Sequence, residues 1–141
     1  MMNFFIPALV AGVASWLFGA VFYTVLGNAW ITALGTTKEA MMDPGGKPNP
    51  VPFVLSFLLQ LVMATVFITI LRAIDEPGLV NGLKWGFLIW FGFILSTIAT
   101  NYAYAKRDPL LTFIDAGHYL GVLLIQGAIL GAWGLGSSPS P

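Results

Sequence analysis

Four long apolar stretches, separated by short polar segments, constrain this chain more than any other feature of its sequence. They cover approximately residues 4–26, 52–71, 79–104 and 110–133. Because an α-helix rises about 1.5 Å per residue, some 20 apolar residues cross the roughly 30 Å hydrocarbon core of a bilayer. The pattern predicts an all-α integral membrane protein, a bundle of four transmembrane helices in a single membrane domain over residues 1–141.

The composition excludes the main soluble classes of protein. Charged residues make up 9% of the chain and hydrophobic residues 57%, whereas a soluble domain has about 25% charged residues. Formal net charge is zero, which does not favour a nucleic-acid partner. The chain has no cysteine, so disulfides and Cys-ligated metal centres are excluded.

Local signals support the boundaries of these helices. The first stretch is long and has no basic residue before it, which favours a membrane helix over a cleaved signal peptide. Pro50 and Pro52 suit the first turn of the second helix, and Asn49 is a candidate cap. Residues 134–141 are rich in Gly, Ser and Pro and are expected to form a flexible tail.

The connection between the first two helices is the longest. Thr36 and Glu39 have capping-box spacing, which predicts one short interfacial helix ending near Met42. The remainder reads as an irregular loop, with a solvated linker favoured over a gate or lid.

The distribution of basic residues indicates the orientation. The first and third loops carry four of them and the second carries two: Lys38, Lys47, Lys106 and Arg107 against Arg72 and Lys84. The positive-inside rule then favours loops one and three in the cytoplasm and both termini in the periplasm.

Small residues line two of the predicted helices. Lipid chains are as apolar as the side chains, so transmembrane helices associate through close packing and hydrogen bonds. Packing within the chain and packing between subunits are both open interpretations of this pattern. The residues concerned are Gly12, Ser15 and Gly19 in the first helix and Gly117, Gly121, Gly127 and Gly131 in the fourth.

A polar cluster is expected where the third and fourth helices meet. Asn101 and Asp115 each lie seven residues from Asp108 at the turn, so they are expected at similar depth. The cluster is predicted to contain Thr97, Asn101, Asp115, His118 and Tyr119. Three interpretations stay open: a hydrogen-bonded lock between helices, a binding or proton-linked transport site, and a haem or chlorophyll-type ligand at His118.

The chain also resembles a known family over nearly its whole length. Three stretches carry the resemblance: Gly-Ala-Val-Phe-Tyr-Thr-Val-Leu-Gly-Asn-Ala-Trp at 19–30, Gly-Phe-Leu-Ile-Trp-Phe-Gly-Phe at 86–93, and Leu-Thr-Phe-Ile-Asp-Ala-Gly-His-Tyr-Leu at 111–120. In order and spacing they resemble domain of unknown function 1761, a family of small, mostly bacterial, four-span membrane proteins. The resemblance implies four helices and a bacterial inner-membrane location, and it implies no activity. His118 separates a glycine and a tyrosine that are adjacent in the family pattern, so it implies no family-wide role for His118.

These features favour a non-enzymatic structural or accessory subunit that associates with membrane lipids and with other copies of itself or a larger membrane complex. No catalytic set and no metal site are expected, because one His and one Asp make neither a triad nor a metal centre. The alternatives are a small transporter or channel for a solute, a proton or a lipid, and a pigment- or haem-binding subunit.

Overall fold

The computed structural model describes residues 4–134 and contains four long helices. They are α1 (Phe5–Leu34), α2 (Val51–Ile74), α3 (Leu79–Tyr104) and α4 (Pro109–Ala132). All four are long and apolar enough to cross a membrane. The expected all-α bundle is therefore confirmed, and it is consistent with an integral membrane protein.

The first helix is longer than its apolar stretch suggested. It was expected to end near residue 26 and continues to Leu34, because residues 27–34 contain no charge and no proline to stop it. Gly35 ends it in a left-handed conformation, at φ 79°, and its N–H donates to carbonyls of the last turn. Such a glycine is a common helix terminator.

The connection after α1 contains less helix than the capping-box spacing predicted. A single 3₁₀ turn covers Glu39–Met41. The Oγ1 of Thr37 accepts a hydrogen bond from the N–H of Ala40, 3.3 Å away, at the start of this turn. The predicted short helix is present in this loop as that single 3₁₀ turn, which ends one residue before Met42. Of the predicted tail, residues 135–141 lie outside the described residues.

The third span contains a feature that its sequence pattern did not predict. A π-helical segment, Trp90–Leu95, interrupts the α-helical geometry in the middle of α3. A π-turn has one residue more than an α-turn, so it rotates the faces of the helix on its two sides relative to each other. This rotation decides which side chains of the second half of α3 point inward.

The last helix is the centre of the bundle. Half of the residues in the most apolar 18-residue stretch of α4 are buried inside the protein, compared with 11% in the corresponding stretch of α3. One side of α4 packs against α1, and α2 lies against α1 beyond it. Another side of α4 packs against the first half of α3. Because α4 contacts every other helix, its residues set the relative positions of the remaining three.

Glycines let the backbones of α3 and α4 touch. A Cβ atom added at Gly82 would collide with the carbonyl oxygen of Gly127, and one added at Gly127 would collide with the carbonyl oxygen of Gly82. The N–H of Gly78 donates to the carbonyl of Gly131 at 2.9 Å, which closes the end of this contact. The close crossing fixes both the position and the rotation of the first half of α3.

The turn between α2 and α3 is held by an acidic residue. Glu76 accepts hydrogen bonds from Lys84 Nζ at 2.6 Å and from Trp85 Nε1 at 2.8 Å. These two donors hold the pKa of the Glu76 carboxyl below its ordinary value. Lys84 lies inside the third apolar stretch of the sequence. Its side chain extends back along the helix to Glu76, near the membrane surface.

Replacing Gly82 by Ala is expected to destabilise the bundle, because the new methyl group has no space between the two backbones. Overpacking of this kind costs about 1–3 kcal/mol. Gly117→Ala is the matched control, since nothing lies within 4 Å of the added atom, and alanine raises helix propensity by up to about 1 kcal/mol. Unfolding titrations with SDS in the same mixed micelles measure both variants. Equal free energies of unfolding for the two would contradict the proposed crossing.

Candidate functional site

Asp115 of α4 is the centre of the most polar site within the membrane-spanning helices. The side chain is 8% exposed. Its Oδ1 accepts a hydrogen bond from the hydroxyl of Tyr23 and its Oδ2 accepts one from the hydroxyl of Tyr102, each at 2.6 Å. Such short O–H···O distances are typical of charge-assisted hydrogen bonds to a carboxylate.

The three residues of this group come from three different helices. Asp115 lies six residues into α4, Tyr23 lies in the second half of α1, and Tyr102 lies in the last turn of α3. A buried carboxylate is costly in lipid unless donors satisfy it. The Asp115 group therefore joins α1, α3 and α4 at the end of the bundle opposite the Gly82–Gly127 crossing.

His118 lies one turn further along α4 and is enclosed by aromatic rings. It is 6% exposed. Four rings have their centroids between 4.8 and 6.1 Å from the imidazole, those of Phe18, Phe22, Tyr23 and Tyr119. The Nε2 atom packs against Gly19, where a Cβ would come within 2.7 Å of it. The Nδ1 atom is buried and has no hydrogen-bond partner among the described residues.

This enclosure does not suit a haem or chlorophyll-type ligand. Such a macrocycle needs one ring nitrogen of the histidine to face a flat open space. Nε2 of His118 faces the backbone of α1, and the space beside Gly121, one turn further along α4, is filled by Phe18. The residues present therefore do not fit a bound macrocycle at His118.

Thr97 and Asn101 lie outside the Asp115 group, and their predicted place in it is wrong. Both are exposed on a different side of α3 from Tyr102, and Thr97 Oγ1 donates to the carbonyl of Phe93 at 2.5 Å. Tyr102 takes the position expected of Asn101. The physical reason is the rotation of α3, which the Gly82–Gly127 crossing and the π-helical segment set and which depth counting alone does not reveal.

A second polar group lies about 16 Å further along α4, since it is eleven residues away at about 1.5 Å per residue. The Nε2 of Gln126 donates to Ser15 Oγ at 3.0 Å and to the backbone carbonyl of Gln60 at 3.2 Å. The hydroxyl of Ser15 donates to Gln60 Oε1 at 2.8 Å. This group joins α1, α2 and α4. Side chains that hydrogen-bond across helices in this way stabilise membrane bundles.

Almost all of the small residues singled out in the sequence pack within the chain. Gly12 contacts Leu61 of α2, Gly121 contacts Phe18 of α1, and Gly127 and Gly131 contact the start of α3. Gly117 is different, because a Cβ added there would meet nothing within 4 Å. These glycine faces are thus occupied before any second subunit approaches.

The second half of α3 has its polar side chains on the outside. Its exposed residues follow a helical spacing and are named here the outer face of α3: Phe93, Ser96, Thr97, Thr100, Asn101 and Tyr104. Ser96 and Thr97 donate to carbonyls one turn back. The side chains of Thr100 and Asn101 have no hydrogen-bond partner among the described residues.

The outward face of α2 shows what a lipid-facing surface of this protein looks like. Between Val54 and Val62 its exposed residues are aliphatic: Val54, Leu55, Leu58, Leu59 and Val62. Further along α2 the exposed Thr65 and Thr69 donate to carbonyls one turn back. The outer face of α3 differs from it by three hydroxyl groups of Ser and Thr, one amide and one phenol. Within residues 4–134, no group of three His, Cys, Asp or Glu side chains could hold a metal ion.

Comparison with known proteins gives one match. A family model described as "Protein of unknown function (DUF1761)" matches residues 6–131. No curated protein and no solved structure matches the chain.

Tyr102→Phe is expected to destabilise the bundle, because it removes one of the two donors to a buried carboxylate. Interhelical hydrogen bonds in membrane proteins contribute roughly 0.6–2 kcal/mol. Tyr104→Phe is the matched control, since Tyr104 is 87% exposed and lies two residues away on α3. The free energy of unfolding in SDS titrations measures both. A loss no larger for Tyr102→Phe than for Tyr104→Phe would show that the Asp115 group does not hold α3.

Proposed function

The chain belongs to the DUF1761 family of proteins of unknown function, and we propose that it is a non-enzymatic membrane subunit that works within an oligomeric membrane complex. The proposed role is structural or accessory. The four helices form one packed unit, and we assign the outer face of α3 to a protein partner of that unit.

The outer face of α3 is the observation that carries this proposal. Thr97 is seven residues from the end of α3, which is about 10 Å along the helix axis. At that depth the hydroxyls of Ser96 and Thr97 donate to carbonyls of their own helix. A face with several polar groups is still less suited to hydrocarbon chains than an aliphatic face is. The exposed residues of α2 between Val54 and Val62 are aliphatic instead.

The contacts of the two buried ionisable side chains, Asp115 and His118, support a non-enzymatic role. Both oxygens of Asp115 accept a hydrogen bond from a tyrosine. Nε2 of His118 packs against Gly19. Catalysis needs acid–base groups placed beside a space that a substrate can enter. The Asp115 group is better suited to locking α1, α3 and α4 together.

We place the protein in a bacterial inner membrane, with both termini in the periplasm. The charge distribution supports this orientation, because loops one and three carry four basic residues and loop two with the start of α3 carries two. The positive-inside rule then places loops one and three in the cytoplasm. The outer face of α3 would lie in the cytoplasmic half of the membrane.

A second candidate is proton-linked transport at the Asp115 group. Two buried nitrogen atoms without partners favour it, Nδ1 of His118 and Nε1 of Trp30. Both rings contact Tyr23, with centroid separations of 4.9 and 5.8 Å. Unpaired polar atoms beside a buried carboxylate in a membrane are a recurring feature of proton and ion pathways. A transporter of this kind would not require the outer face of α3 to be covered.

Gentle purification from the native membrane separates these functions. The protein is expected to elute as a complex larger than its 15.2 kDa monomer, and Asn101→Leu is expected to shift it toward the monomer. Val54→Leu, on the aliphatic outer face of α2, is the control and is expected to leave the size unchanged. Mass spectrometry of the eluted complex identifies its members.

A parent protein that elutes as a monomer in several mild detergents and in nanodiscs would overturn the subunit proposal. In that case proton uptake by liposomes that contain the purified protein would test the second candidate.

A further inference from the structure

The outer face of α3 is uncharged and contains both hydrogen-bond donors and acceptors. We propose that it pairs with the same face of a second copy of this chain, around a two-fold axis that runs along the membrane normal close to Thr100 and Asn101. The inference rests on the proposed function, because it names the partner of the face that the proposed function leaves open.

Self-complementarity is the first argument for a second copy. In a two-fold dimer the same patch faces itself, so each group must be able to pair with its own kind. An asparagine amide contains donors and an acceptor, and a hydroxyl is both donor and acceptor. Apart from Phe93, the residues of the outer face of α3 carry these groups, and none of them is charged, so bringing two copies together creates no like-charge repulsion.

The free hydrogen-bonding capacity lies where two copies would meet. Ser96 and Thr97 already donate to Gly92 and Phe93 in their own helix, which leaves their oxygens as acceptors. Thr100 and Asn101 make no side-chain hydrogen bond within residues 4–134. Two copies would supply the missing donors and acceptors to each other, with amide groups paired across the axis.

The shape of the same surface permits close approach. Gly92, Ser96 and Thr100 lie at intervals of four residues and form a small-residue line beside the polar groups. A Cβ added at Gly92 would meet nothing within 4 Å. Small residues at this spacing let membrane helices pack closely, and Gly92 is the one glycine of α3 that does not contact α4.

The position of α3 in the fold agrees with this role. It is the least buried of the four spans. In its most apolar 18-residue stretch 11% of the residues are buried, compared with 28% to 50% in the other spans. On its inner side Tyr102 anchors it to Asp115, and the Trp90 Nε1 donates to the carbonyl of Ala116 at 2.7 Å. The outer face is therefore presented on a helix that the chain itself holds rigidly.

Single-cysteine crosslinking in native membranes tests the proposal, and the absence of cysteine from the sequence makes it specific. Thr100→Cys places a thiol next to the proposed axis. Val54→Cys is the control, because Val54 is exposed on α2 three residues from the helix end on the same side of the membrane. Copper-phenanthroline oxidation is expected to convert Thr100→Cys into a disulfide-linked dimer while Val54→Cys gives only the background of random collisions.

Two further variants protect the test against a folding defect. Thr97→Cys, about one turn deeper on the same face, is also expected to crosslink above the control. Adding Asn101→Leu to Thr100→Cys is expected to lower the association constant about tenfold, equivalent to about 1.4 kcal/mol. That constant is measured from the protein-to-lipid dependence of crosslinking in liposomes.

The outcomes distinguish this inference from the proposed function. If Thr100→Cys and Thr97→Cys crosslink no more than Val54→Cys, while the parent still purifies in a larger complex, the second copy is overturned and the subunit proposal stands. If they fail to crosslink and the parent is a monomer, both are overturned. Crosslinking above the control in both variants, weakened by Asn101→Leu, supports the second copy.

Discussion

The close backbone contact between α3 and α4 is the constraint on which the rest of the structure depends. In lipid, burying apolar side chains does not drive helices together, so association relies on close packing and hydrogen bonds. Gly82 and Gly127 bring two backbones together at a distance that no larger residue allows. This contact sets the rotation of α3, and the π-helical segment then turns its second half. As a result Tyr102 points to Asp115 while Thr100 and Asn101 point away from the bundle.

Hydrogen bonds from α4 complete the arrangement at two depths. The Asp115 group joins α1, α3 and α4, and the Gln126 group joins α1, α2 and α4. Burying these polar groups is costly, but most of their donors and acceptors are paired, which reduces the cost and favours one arrangement of the helices over others. Because both groups include α1 and α4, that pair forms the rigid core on which α2 and α3 are placed.

The sequence predicted the existence and order of the helices, because long uncharged apolar stretches allow few alternatives in a membrane. It also indicated the depth of the polar cluster, since counting outward from Asp108 brings residues near 101 and 115 together. The sequence did not predict the rotation of α3 about its own axis. Asn101 and Tyr102 are neighbours in sequence but differ by about 100° around the helix, and only the glycine contact and the π-segment choose between them. Tyr102 was missed for the same reason, and Tyr23 was missed because the sequence does not show which side of α1 faces Asp115.

The most direct test of this account is the lipid accessibility of α3 in bilayers, measured by oxygen collision rates of spin labels. Labels at Thr97 and Thr100 report on the outer face of α3, and a label at Val54 reports on a surface assigned to lipid. If protein covers the outer face of α3, the labels at Thr97 and Thr100 will collide with oxygen much less often than the label at Val54. Collision rates at Thr97 and Thr100 as high as at Val54 would show that lipid covers this face and would contradict the account.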